Sequence, residues 1–222
     1  MRALFVTGTD TGCGKTAVAC ALARAARADG LRVRVIKPIE TGCENGRPAD
    51  ALALAAAAGD DAPLERLCPV RFALPAAPEV AAAAEGRAIE LAPIADAFAL
   101  AAKDADLVIA EGAGGLLVPI APGLDMADLA ARLDLPLVVV ARAALGTINH
   151  TRLTLEAAAA RGLRVLGVAI SYTAAVQPAA DQRNLELLLA QLPVPLLGEL
   201  RHGAESLTGL DLAALLTSAG SA

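Results

Sequence analysis

The chain has 222 residues, 56% hydrophobic, 19% charged and only 2% aromatic, with a formal net charge of −5. At about 150 residues per domain this predicts one large domain or two small ones, and the high hydrophobicity excludes a disordered chain. The acidic balance, with no Trp, one Tyr and three Phe, excludes a nucleic-acid binder, which needs a basic footprint and stacking rings.

The opening run Met1-Arg2-Ala3-Leu4-Phe5-Val6 is too short for a signal peptide. No stretch reaches the roughly 18 apolar residues of a membrane span. Apolar, β-branched runs at 3–8, 32–38, 106–111, 136–141, 164–170 and 194–198 predict short buried strands. Between and after them, alanine-rich helical pattern fills 15–29, 50–58, 91–103, 124–133, 148–161, 179–191 and 209–217. This alternation predicts an α/β fold: a parallel twisted sheet with helices on both faces, in a single domain over 1–222. Residues 59–90, rich in Pro and Ala, are the least regular stretch and read as an insertion near the sheet edge. Cys13, Cys20, Cys43 and Cys68 are widely spaced without a CxxC pair, which suits isolated thiols in a reducing cytoplasm.

In such sheets ligands lie beyond the carboxyl ends of the strands. The first strand runs into Gly8-Thr9-Asp10-Thr11-Gly12-Cys13-Gly14-Lys15-Thr16 and then a helix. Glycines let the backbone N–H groups wrap a phosphate, Lys15 reaches the β/γ-phosphates, and the Thr16 hydroxyl suits Mg²⁺. Five residues rather than four separate Gly8 from Gly14, which marks a variant of the phosphate loop. The pattern predicts a nucleoside triphosphate and is silent about its use.

Only three of the basic residues are lysine: Lys15, Lys37 and Lys103. Lys37 follows the second predicted strand, expected beside the first, so Lys15 and Lys37 can converge on one phosphate. An exposed strand-end lysine is the plainer alternative. Glu111 ends an apolar strand and precedes Gly112-Ala113-Gly114-Gly115, a place from which a carboxylate reaches a metal at the mouth of the sheet. Asp50, just before a helical run, reads on spacing alone first as an acid interacting with the helix dipole. Thr16, Asp50 and Glu111 together form an ordinary oxygen-ligand set for Mg²⁺.

These pieces resemble dethiobiotin synthetase: GTDTGCGKT, KPIETG, EGAGGLLVP, LGTINHTRLT and PLLGEL occur in order over almost the whole chain. PAAPEVAAAAEG is similar to that family's middle segment. The resemblance implies a homodimer that uses ATP, Mg²⁺ and CO₂ to close a ureido ring on 7,8-diaminononanoate. A carbamate of one amine takes the γ-phosphoryl group, and the second amine attacks the mixed anhydride. It implies catalytic roles for Lys37 and Lys15, and metal ligation by Thr16, Asp50 and Glu111. Nucleotide contacts are implied for Gly12, Cys13, Gly14, Lys15, Thr16, Ala17, Asp50, Glu111, Gly112, Ala113 and Gly114, with Ser171, Tyr172, Pro193, Val194 and Glu199 around the base. Substrate contacts are implied for Thr11, Thr41, Gly112, Gly114 and Asn149, the last receiving the substrate carboxylate across a dimer interface. Asn149 also reads simply as a helix cap.

Two positions depart from the family pattern. Gly12 stands where a larger residue, often Glu, is expected. Ser171-Tyr172 stands where an Asn reading the adenine edge is expected, which places the only tyrosine beside the base and implies weaker adenine selectivity. A tyrosine merely packing at a strand end is the alternative.

Two other readings share the variant loop. A cobyric-acid-type amidating ligase needs a glutaminase domain that this length cannot hold. A MinD/ParA-type ATPase switch needs a lysine early in the loop, where this chain has Asp10 and Thr11.

Overall fold

The computed structural model describes residues 1–220. Strand β1 (Arg2–Gly8) leads through the phosphate loop into α1 (Lys15–Ala28) and β2 (Val33–Ile36). There follow β3 (Ile39–Thr41), a 3-10 turn at Glu44–Gly46, α2 (Ala49–Ala58), α3 (Leu64–Leu67), β4 (Val70–Phe72), α4 (Pro78–Ala84) and α5 (Ala92–Lys103). The second half comprises β5 (Leu107–Gly115), β6 (Pro119–Ala121), β7 (Leu124–Asp125), α6 (Met126–Arg132), β8 (Leu137–Arg142), α7 (Thr147–Ala160), β9 (Val165–Ser171), α8 (Ala179–Ala190), β10 (Leu196–Leu200) and α9 (Leu212–Gly220).

The main sheet has six parallel strands in the order β10-β9-β8-β1-β5-β2. Successive residues of a strand face opposite sides, so the buried strands feed two cores. Phe5, Val108, Ala110, Val139 and Ile170 pack under α5 to α8, while Leu4, Val6, Ile109, Val138 and Val140 pack under α1, α2 and α9. Burying each such Leu, Val or Phe contributes roughly 1.5–3 kcal/mol, so the sheet centre anchors the fold.

The segment 59–90, the least regular stretch of the sequence, contains the short elements α3, β4 and α4, and β4 pairs in parallel with β3 as a separate two-stranded sheet. Three element boundaries need correction. The helix expected over 124–133 starts at Met126, because Leu124 and Asp125 close a hairpin with β6 and Asp125 then forms a capping box with Asp128. Strand β5 continues past Glu111 to Gly115, since glycines let the backbone run close to β1. The last helix lies at Leu212–Gly220, three residues later than expected over 209–217.

Candidate active site

The strand bearing Lys37 is not the neighbour of β1. β5 lies between them, pairing Val6 with Glu111 on one side and Ile36 with Ala110 on the other. The connection through α1 sends β2 to the sheet edge and leaves room for the later strand to enter the middle. Glu111 therefore stands between the two lysines rather than beside them.

At the end of β1 the chain turns through Gly14, whose φ of 95° lies in the left-handed region that suits glycine. Helix α1 has no side-chain cap and no acid in its first turn. Its free N–H groups and the positive end of its dipole are left open to the loop, an arrangement that suits an anion. Lys15 Nζ donates to the Asp10 carbonyl at 3.1 Å. Burial lowers its pKa from the ordinary lysine value, and the nearby Lys37 charge adds to the effect. Cys13 is buried beneath the loop, whereas Thr11, Gly12 and Ala17 are exposed at its rim. A Cβ at Gly12 would meet nothing within 4 Å, but the φ of +70° there disfavours the larger residue expected from the family pattern.

Between β1 and β2 lies a buried charge cluster. Lys37 is 3% exposed and Glu111 0%. Lys37 Nζ donates to Glu111 Oε1 at 2.5 Å and to the Gly112 carbonyl at 3.2 Å, and it lies 3.3 Å from Asp50 Oδ2. Burial works against the Lys37 charge, but Glu111 and Asp50 outweigh it and hold its pKa above the ordinary value. Thr16 Oγ1 donates to the same Glu111 Oε1 at 2.8 Å. One carboxylate oxygen thus joins α1 to the end of β2, and the other, Oε2, is buried without a partner.

A cavity of about 430 Å³ is lined by Thr11, Gly12, Gly14, Lys15, Thr16, Ala17, Lys37, Glu40, Thr41, Asp50, Ala113 and Gly114. Both lysines, the phosphate loop and most residues expected around ATP and diamine therefore share one hollow. Among the described residues no group of three or more His, Cys, Asp or Glu side chains forms a metal cage. The Thr16 hydroxyl, the half-exposed Asp50 carboxylate and the orphaned Glu111 Oε2 nevertheless suit a hard cation that takes its other ligands from water and phosphate.

A second cavity, about 500 Å³, adjoins the loop along Gly14, Thr16, Ala17 and Cys20. Its far wall is Ser171 to Thr173 and Leu200 to Glu205. Ser171 packs against Gly14 so closely that a Cβ on the glycine would lie 2.8 Å from Ser171 Cβ. Tyr172 donates its hydroxyl to Glu199 Oε2 at 2.5 Å, and the Arg201 guanidinium covers its ring at 4.0 Å. Burial and the Glu199 bond push the Tyr172 pKa up to about 12.

Pro193 and Val194 fall elsewhere. They precede β10 at its amino end, whereas the cavity opens at the carboxyl ends of the strands. The pocket wall is supplied instead by the loop after β10, including Arg201 and His202, which the sequence reading missed. Strand ends opening into ligand sites was the signal that could have found them. Asn149, the third residue of α7, is exposed and does not cap it; Gly146 occupies the cap position with φ 93° and no side-chain bond.

The ATP-dependent dethiobiotin synthetase of Anaeromyxobacter dehalogenans (strain 2CP-C) is 56% identical over 174 residues, covering 78% of each chain. This chain belongs to the dethiobiotin synthetase family. The synthetase of Aromatoleum aromaticum is 44% identical over 207 residues, covering 91% of this chain and 92% of its own. That of Xylella fastidiosa is 40% identical over 226 residues, covering 99% of both. A family profile described as an AAA domain matches residues 2–206. Among solved structures, the MinD cell division protein of Aquifex aeolicus is 13% identical with a TM-score of 0.55, covering 92% of this chain and 84% of its own. The signal recognition particle receptor FtsY of Elizabethkingia anophelis is 19% identical with a TM-score of 0.56, covering 98% of this chain. This chain spans 64% of that receptor, less than two thirds of its length. At such identities the likeness shows a shared P-loop fold, and the family places dethiobiotin synthetases on it.

Proposed function

We propose that the protein is an ATP-dependent dethiobiotin synthetase that carboxylates 7,8-diaminononanoate and closes its ureido ring at the cavity between Lys15 and Lys37. The observation that carries this reading is the buried Lys37 ammonium, set between Glu111 and Asp50 and facing the same hollow as the phosphate loop. A nucleotide-binding module without chemistry has no use for a second cation buried at that cost.

In this reaction one substrate amine adds to CO₂ and loses a proton, giving a carbamate. A carbamate oxygen then attacks the γ-phosphorus, and ADP leaves. The second amine attacks the carbonyl carbon of the resulting anhydride, expelling phosphate and losing its proton as the ring closes. The steps require concentrated positive charge around the transferring group and two amines fixed beside it. Lys15, released from the Asp10 carbonyl, neutralises phosphate oxygens, while Lys37 reaches the carbamate and the γ-phosphoryl group. The α1 N-terminus and loop N–H groups hold the β-phosphate. Thr11, Thr41 and the backbone of Gly112 to Gly114 would orient the diamine. Thr16, Asp50 and Glu111 would hold Mg²⁺, which when bound screens the charge of the phosphoryl oxygens.

We also read the enzyme as a homodimer. Helix α7 begins without a side-chain cap or a first-turn acid, which favours an anionic group. Asn149 and Leu153, four residues apart, share an exposed face, and Leu145 just before the helix is 72% exposed. A second copy covering that face would bring a substrate carboxylate to the helix start. Residues 1–222 are read as one domain acting in the cytoplasm. The four free, buried thiols fit a reducing compartment, and no described helix is long and apolar enough to cross a membrane.

The test is direct. Incubation with diaminononanoate, ATP, Mg²⁺ and labelled bicarbonate should place label in a cyclic urea with release of ADP and phosphate. Phosphate release without diamine overturns the reading in favour of an ATPase switch.

A further inference from the structure

Glu40 is the one buried carboxylate lining the cavity that the reaction above leaves without a role. It is 6% exposed and lies in β3, outside the main sheet. Its Oε1 accepts the Asp50 N–H and its Oε2 the Ala51 N–H, each at 2.9 Å. These belong to the second and third residues of α2, whose N–H groups have no partner within the helix. The residue before the helix is Pro48, which has no side-chain oxygen to offer. Glu40 therefore caps α2 from earlier in the chain, and ties the segment carrying Lys37 and Thr41 to the helix carrying Asp50.

The consequence falls on Asp50. An aspartate in the first turn of a helix is drawn toward the free N–H groups and the positive dipole. With Glu40 already on those groups, the Asp50 carboxylate remains 48% exposed, facing the cavity with Oδ2 at 3.3 Å from Lys37 Nζ. Burial pushes the Glu40 carboxyl up, while the two N–H bonds favour its charged form.

We infer that Glu40 is a positioning residue for the reaction: its two bonds tie the start of α2 to β3, and that tie holds Asp50 beside Lys37 at the cavity. This rests on the reading of Asp50 as a metal ligand. The variants are Glu40→Gln, which keeps one acceptor but sets an amide NH₂ against the other N–H, and Glu40→Ala, alone and with Pro48→Asp. The double variant supplies a local cap while leaving the link to β3 cut.

The probe is Mn²⁺, titrated with a non-hydrolysable ATP analogue present and read by the spin resonance of the free ion. Both single variants should weaken Mn²⁺ binding by about tenfold or more, with affinity for the metal-free analogue unchanged. In turnover, kcat should fall at fixed Mg²⁺ and be partly rescued by raising it, with little change in KM for ATP. Pro48→Asp in the Glu40→Ala background should restore thermal stability but not metal affinity. Unchanged Mn²⁺ affinity in both single variants overturns the inference. Recovery of metal affinity along with stability also overturns it, leaving Glu40 a helix cap alone. Asp50→Asn measured alongside separates the two readings. If it binds Mn²⁺ normally, the ligand assignment itself fails and the inference with it.

Discussion

Lys37 Nζ and Glu111 Oε1 are 2.5 Å apart in a place where neither side chain has meaningful exposure, 3% and 0% respectively. Taking one partner away strands the other charge. Lys37→Gln should reduce turnover by at least about 10²–10³-fold, the scale for losing one electrostatic stabiliser of a transition state. It should also lower stability by roughly 3–5 kcal/mol, leaving the protein folded at room temperature but easier to melt. Lys37→Gln with Glu111→Gln should recover much of the melting temperature and none of the activity. Calorimetry and the labelled-bicarbonate assay read the two effects separately, and near-normal turnover of the single variant counts against the assignment.

Lys15 acts earlier. Its bond to the Asp10 carbonyl is one that phosphate should replace. Lys15→Gln should weaken binding of a non-hydrolysable ATP analogue by about 10–100-fold, the value of a charged hydrogen bond, as well as reducing kcat. Titration calorimetry decides this, and an unchanged affinity removes Lys15 from the phosphate site.

Tyr172 is the only tyrosine in a chain without tryptophan, so its ionisation can be followed alone by ultraviolet absorbance. Its phenol should titrate at about 12 rather than about 10, because burial and the bond to Glu199 favour the neutral form. Between those values the folded state holds a proton that the unfolded state has lost, so stability falls as pH rises through that window. Tyr172→Ala should raise the KM for nucleotide, and GTP or CTP should support turnover alongside ATP. Strict dependence on ATP, or an unchanged KM in the variant, defeats the base-pocket role.

Leu145→Asp places a charge in the face proposed to meet a second copy. It should shift the protein to monomer in sedimentation velocity runs. The KM for diamine should rise, while ATP-analogue affinity holds. A dimer that persists at the same concentration, with the same KM, places the interface elsewhere.

The six main strands and the phosphate loop were legible because continuous apolar runs and a glycine-rich turn before a helix leave few alternatives. Glu111 was legible as a charge ending an apolar run. What escaped was whatever depends on strand order. No local pattern reveals that β5 enters between β1 and β2, so Lys37 was expected one strand nearer to Lys15 than it lies. The elements β3, β4 and α3 are three or four residues long, too short for any periodicity. Glu40 is no more than a letter of KPIETG in the sequence, since a cap donated from another element has no local signature. Pro193 and Val194 are expected around the base from motif similarity, but they precede β10 at its amino end, a placement that topology rather than composition decides.

The close seating of Ser171 on Gly14 constrains any redesign of the proposed base pocket. A longer amide side chain put at 171 would press on the turn that cradles phosphate, so gains in base recognition would come with a disturbed triphosphate grip. Redesign is better begun at Arg201 and His202, across the same hollow, where side chains are exposed and can change without moving the loop.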